Sequence, residues 1–254
     1  MIFLHIYCPY FKIMATKLEK TLIRYIEEAN EEWKLFKKGE RLIVGVSGGK
    51  DSLSCLRLLS FFDLHLKAVH INLFGKGVSG LKEYCSFYAD YQEFKAVPIS
   101  NKRIQKNPCY RCSRERRQLL LEAAAAFNCH KIALGHHKDD AAETLIINMI
   151  YSREISTMMP LQVLFKGTYM IIRPMYLIPE PMILSYAREQ GIPELDAGCE
   201  FGEDSKRRRV KELLAQLNTE SKGIDVIENV FSSMKQIKHG FIPFDKKNAD
   251  HSIK

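Results

Sequence analysis

The chain of 254 residues is 46% hydrophobic and 27% charged, the balance of a soluble globule with a buried core, which sets aside collagen-like, disordered and coiled-coil classes. Lys and Arg number 38 against 30 Asp and Glu, a net charge of +8 that favours a polyanionic partner such as nucleic acid without establishing one. The 7 cysteines are an odd number in a chain too large to need disulfide staples, which points to a reducing compartment where thiols stay available to metals.

No apolar run approaches the roughly 18 to 20 residues that span a bilayer. The opening stretch is broken by His5, Pro9 and Lys12 and has no small-residue cleavage site, so we expect a cytoplasmic protein with no membrane partner. Met14 reads as a second start, which makes residues 1–13 an extension. Leu22, Ile26, Ala29, Trp33 and Phe36 then recur every three or four residues and predict an amphipathic helix ended by Lys37, Lys38 and Gly39. Residues 41–46 predict a buried strand, 47–49 a glycine turn and 52–62 a helix. Two further buried strands are expected at 64–73 and 94–99, with a helix over 79–91 between them. A helix over 118–127, a strand over 131–134 and a helix over 138–151 follow, the last with Leu145, Ile146, Met149 and Ile150 as its core face. Strands alternating with helices in this way predict an α/β fold, a doubly wound parallel sheet with ligands at the carboxyl ends of its strands. After a strand at 169–172, Pro174, Pro179, Pro181 and Pro193 punctuate a mostly helical stretch. The expected division is 1–38 for the extension and first helix, 39–175 for the nucleotide-binding domain, 176–242 for a small C-terminal helical part, and 243–254 for a polar tail.

Ser47-Gly48-Gly49-Lys50-Asp51-Ser52 falls where strand passes to helix, so backbone N–H groups and the helix dipole make an anion cradle. The two glycines admit close approach, Ser47 and Ser52 can donate hydroxyl bonds, Lys50 supplies charge, and Asp51 can hold Mg²⁺ against phosphates. The pattern is neither a Walker loop nor GxGxxG. A second element, Gly135-His136-His137-Lys138-Asp139-Asp140, ends another strand and should face the same crevice. Its carboxylates can bind Mg²⁺ or orient an acceptor and its histidines can move protons. In isolation it would read as a turn with Asp139 as helix N-cap.

Cys109-Tyr110-Arg111-Cys112 is one CxxC, compatible with half a zinc site, a redox pair or coincidence. No second CxxC closes a four-cysteine zinc site, and Pro108 suggests a rigid loop. Cys199, on a glycine-flanked segment ahead of a basic helix, is a third candidate thiol. Cys8, Cys55, Cys85 and Cys129 suit the role of small buried hydrophobes. Arg111, Arg114, Arg116 and Arg117 crowd the CxxC, and Lys206, Arg207, Arg208, Arg209 and Lys211 follow Cys199. Such runs are ordinarily solvated helix faces, but two of them beside the candidate thiols would attract an RNA backbone.

With LIVGVSGGKDSL, CYRCSRERR, KIALGHHKDD, the IIRP of 171–174 and the lone distal Cys199 in place, the chain resembles the tRNA 2-thiocytidine synthetase family of PP-loop ATP pyrophosphatases over about residues 39–238. The resemblance implies that ATP is cleaved between its α and β phosphates and that an oxygen of the substrate is adenylated. It implies a 4Fe-4S cluster on Cys109, Cys112 and Cys199, whose iron without a protein ligand carries sulfur. It assigns ATP contacts to Ser47, Gly48, Gly49, Lys50, Asp51, Ser52, His70, Gly135 and His136, and Mg²⁺ to Asp51 and Asp139. Catalysis falls to Lys50, Asp51, Asp140 and Arg116, and RNA contacts to Arg111, Arg114, Arg117 and Lys206 to Arg209. The expected partners are tRNA, a cysteine desulfurase or other sulfide donor, and a second copy in a homodimer. The family's distal CxxCG is reduced here to Cys199-Glu200-Phe201-Gly202, with one thiol. Two other readings stay open: a PP-loop sulfur transferase acting on a tRNA uridine or a small molecule, and a non-catalytic zinc- and ATP-binding RNA module.

Overall fold

The computed structural model describes residues 16–73, 75, 77–95, 108–195 and 206–241. The chain runs α1 (Lys17–Trp33), β1 (Glu40–Gly45), α2 (Lys50–Leu59), β2 (Leu64–Asn72), α3 (Leu81–Ser86), β3 (Asp90–Lys95), α4 (Pro108–Ala126), β4 (Lys131–Leu134), α5 (Lys138–Ser152), β5 (Leu161–Leu164), β6 (Tyr169–Ile172), α6 (Glu180–Glu189), α7 (Lys206–Glu220) and α8 (Val226–Ser233). The sheet order is β3-β2-β1-β4-β6-β5, parallel except for β5, which pairs antiparallel with β6. Strand order therefore reverses between β1 and β4, the switch point where doubly wound sheets leave a crevice. The register sets Gly45 beside Leu134, so both polar motifs emerge side by side from that point.

Alternation along β1 feeds both faces of the sheet. Leu42 and Val44 pack with Leu22, Ile26, Leu56 and Ile183, under the helices α1, α2 and α6. Ile43 packs with Val69, Ile132 and α4's Leu120, Ala123 and Ala124 on the other face. Both faces being covered, the central strands read as nearly continuous apolar runs. Helix α6 packs against α1 and α2, while α7 and α8 pack against α5. Half-buried Arg57 fastens α2 to its neighbours through Glu19, Tyr186, Tyr88 and Gln190.

Several expected elements change. The helix over 79–91 shrinks to α3, because Asp90 and Tyr91 pair with Lys67 and Ala68 of β2. The third strand is accordingly 90–95 rather than 94–99, of which residues 96–99 lie outside the described residues. It is a half-exposed edge, not a buried strand. Helix α4 begins at Pro108, ten residues before the expected start, so the CxxC occupies a helical first turn instead of a rigid loop; proline suits that position because its missing N–H would have no partner there. On α5 the core face is Ala141, Ala142 and Leu145, and Met149 and Ile150 are exposed. Strand β5 was not expected from the sequence.

Candidate active site

The two motifs meet backbone to backbone. A Cβ on Gly135 would lie 2.7 Å from the Asp51 carbonyl oxygen and 2.9 Å from Ser52 Cα, so only glycine lets the β4 corner close on the start of α2. In the β1 corner Gly48 has φ +96°, a conformation that glycine adopts at little steric cost. Ser52 Oγ accepts from the Ser47 N–H at 3.1 Å and donates to the Gly49 carbonyl at 2.9 Å, which fixes the turn. The Leu195 N–H donates to the Gly48 carbonyl at 3.0 Å; the chain leading to Cys199 is thus tied to the same loop.

A cavity of about 670 Å³ opens over these corners, within the range of small-molecule sites. It is lined by Ser47, Asp51, Ser52, His70, Gly135 and His136, by Arg116 and Arg117 of α4, and by Asp140 and Arg207. Ten of the expected site residues therefore share one cavity. His70 is buried, its Nδ1 donating to the Val46 carbonyl at 2.9 Å.

Three assignments move. Asp139, expected on Mg²⁺, instead accepts the Glu180 N–H at 2.7 Å and stands 3.7 Å from His137 Nδ1, so it caps α6 rather than α5. The N-cap of α5 is His137, whose N–H donates to Asp140 at 3.0 Å. Lys50 is not on the cavity wall: its ammonium sits 3.2 Å from Asp51 and 3.1 Å from Glu180, which also accepts Lys211 of α7 at 2.6 Å. Arg207, expected on RNA, turns inward to Asp140 at 2.6 Å. Lys206, Arg208 and Arg209 are exposed, as are Arg111 and Arg114.

The charges are strongly coupled. Burial holds His136 down to about 4, aided by Arg173, Arg207 and His137 against the pull of Asp140. Burial works against a charged His137 too, yet the neighbouring carboxylates of Asp139, Asp140 and Asp51 raise it above the ordinary imidazole value. Asp140 is likewise penalised by burial but held below the usual carboxylate range by His137, His136 and Arg207. Asp51 Oδ1 is buried without a hydrogen-bond partner. Among the described residues no three metal-ligating side chains cluster, so a cation here would draw on one or two carboxylates and on the phosphates of its nucleotide, the usual habit of Mg²⁺. Asp51 fits that demand.

Cys112 is half-buried against the α4 side of the core, one residue before the cavity-lining Ser113. Cys109 lies in the same helical turn, its side chain outside the described residues, and Cys199 lies outside them altogether. Cys55 and Cys85 are buried and pushed up to about 12, and Cys129 is also raised by burial, as suits inert core thiols. Cys8 lies outside the described residues. Sequence reasoning missed Glu180, Glu143, Gln162 and the position of Arg173; only Arg173 left a trace, in the IIRP motif.

A phosphate corner and a carboxylate corner joined at the switch point of a doubly wound sheet define a nucleotide-binding α/β protein. Residues 14–216 match the model of the PP-loop domain family. The chain is 30% identical over 240 residues to a tRNA-cytidine(32) 2-sulfurtransferase of Francisella philomiragia, covering 89% of this chain and 93% of the relative. It is 31% identical over 236 residues to another from Francisella tularensis subsp. novicida, covering 87% and 92%. Among solved structures, the U34-tRNA thiolase NcsA of Methanococcus maripaludis, with its [4Fe-4S] cluster, superposes with a TM-score of 0.70 at 21% identity, over 87% of this chain and 80% of that one, a likeness of fold. The chain belongs to the PP-loop family and, within it, to the tRNA-cytidine 2-sulfurtransferases.

Proposed function

We propose that the protein thiolates a cytidine of the tRNA anticodon loop at the expense of ATP. The C2 carbonyl oxygen of the base attacks the α-phosphorus of ATP and pyrophosphate departs; sulfide then adds to C2 and AMP leaves with the original oxygen. An amide-like carbonyl oxygen is a poor leaving group, and adenylation makes it a good one. The amides of residues 47–50 stabilise the departing pyrophosphate, Lys50 joins them by leaving its Asp51 and Glu180 partners, and Asp51 with Asp140 would hold Mg²⁺. Arg116 faces the reacting base. Cys109, Cys112 and Cys199 would hold a 4Fe-4S cluster, which when bound would supply sulfur at the sulfide level, drawn from a cysteine desulfurase or another donor.

The observation that supports this reading is a pair of anchors. The Leu195 N–H donates to the Gly48 carbonyl of the phosphate corner, and Arg207, on the cavity wall, donates to Asp140 of the carboxylate corner. The CxxC helix supplies Arg116 and Arg117 to the same cavity. Anaerobic reconstitution tests it: wild type is expected to be brown with about four iron and four sulfide per chain, and Cys199→Ala to lose most of both. A colourless zinc protein inert toward ATP and tRNA would overturn it.

A further inference from the structure

Half-buried Arg57 and buried Arg173 are treated in opposite ways. Arg57 is saturated by a carboxylate, two phenols and an amide oxygen. Arg173, 4% exposed and on the cavity wall, has no carboxylate partner among the described residues. Its Nη1 donates to the Met159 carbonyl and its Nη2 to Gln162 Oε1 at 3.4 Å, while its Nε is buried and without a partner. Burial and nearby Arg117 bring its pKa down to about 10. A buried guanidinium costs several kcal/mol unless its donors are met, and three of its five N–H groups remain for whatever enters the cavity.

We infer that Arg173, oriented by Gln162, forms the subsite that distinguishes cytosine from uracil in the acceptor nucleotide, an inference that rests on the thiolation reading above. N3 is an acceptor in cytosine and carries a proton in uracil. Arginine can only donate, so it rewards the first and repels the second. The neighbouring amides extend the pattern. Because Gln162 spends its oxygen on Arg173, its Nε2 is left to donate; because Asn148 on the same cavity spends its Nδ2 on Ser156, its Oδ1 is left to accept. Donors and an acceptor lining one cavity match the Watson–Crick edge of a splayed cytosine, with N3 accepting and N4 donating while O2 stays free to react. Ser47, Asp51, Ser52 and His70 of the same cavity are left to ATP.

The test needs neither iron nor turnover. Binding of fluorescein-labelled anticodon stem-loops, differing only in C or U at the target position, is measured with a non-hydrolysable ATP analogue for wild type, Arg173→Lys and Gln162→Glu. Wild type should prefer C by roughly tenfold to a hundredfold, the discrimination of one good base contact. Gln162→Glu, on an edge strand where folding is least at risk, pairs a carboxylate with Arg173 and should bring the ratio near one without weakening the ATP analogue; Arg173→Lys should do the same. An unchanged ratio in Gln162→Glu overturns the inference, as does an unchanged ratio with lost analogue affinity, which makes Arg173 a phosphate ligand. Failure of wild type to bind either stem-loop better than a scrambled hairpin would instead defeat the thiolation reading, and the inference with it.

Discussion

Glu143 of α5 is 3% exposed, with burial and the charge of Asp140 raising its carboxyl to about 7 against the opposing pull of Arg207. A carboxyl whose folded pKa is raised contributes stability that is complete below its unfolded value and is lost as pH climbs through about 7. His137, also raised, loses its contribution as pH rises past its own folded value. His136, held down to about 4, works the other way, contributing above the ordinary imidazole value and losing that as pH falls toward 4. Glu143→Gln should therefore match wild type in thermal unfolding near pH 4 and exceed it by about 3 kcal/mol at pH 8. Equal stability of the two proteins at both pH values would show that Glu143 is not forced to ionise in the fold.

At the scale of elements, the close contact of two corners makes a sharp demand. Gly135→Ala would push a methyl into the Asp51 and Ser52 backbone, so the corners must separate; overpacking of this kind costs about 1–3 kcal/mol. We expect ATP affinity to fall by roughly tenfold or more while the far-ultraviolet circular dichroism keeps the wild-type shape, and isothermal titration checks it. The phosphate corner and its partner were legible in the sequence because each is local: a buried strand, a glycine-bearing turn, then a helix. What escaped was set by tertiary partners. The role of Asp139 depends on the Glu180 N–H, 41 residues away, and Lys50 turns to Glu180 because that side chain lies 130 residues downstream. Strand β5 is four residues long, with Val163 exposed and Phe165 just beyond it in the left-handed region. So short an edge has no periodicity to read. The α5 face failed for a related reason: Met149 and Ile150 are apolar at plausible spacing, but the residues of that helix that are buried all lie in its first half, between Asp139 and Leu145.

At the scale of the whole molecule, the surplus of positive charge falls into inward and outward parts. Arg173 and Arg207 belong to the cavity, whereas Lys206, Arg208 and Arg209 are exposed at the start of α7. If the outward group holds phosphates, tRNA binding should weaken with salt along a line whose slope counts the contacts. Arg208→Ala combined with Arg209→Ala should lower that slope by up to about 2, measured by filter binding across a salt series. An unchanged slope would move the RNA footprint to the face carrying Arg111 and Arg114. Among the described residues no helix is long and apolar enough to cross a membrane.

Iron content, pH profiles and base preference each test one component, but the fate of the oxygen at C2 tests the whole. The most direct measurement is nucleoside mass spectrometry of tRNA incubated anaerobically with the reconstituted protein, ATP and sulfide. The account predicts 2-thiocytidine in the anticodon loop, with one AMP released for each sulfur gained. Unmodified cytidine alongside AMP release, or sulfur arriving on uridine instead, would contradict it.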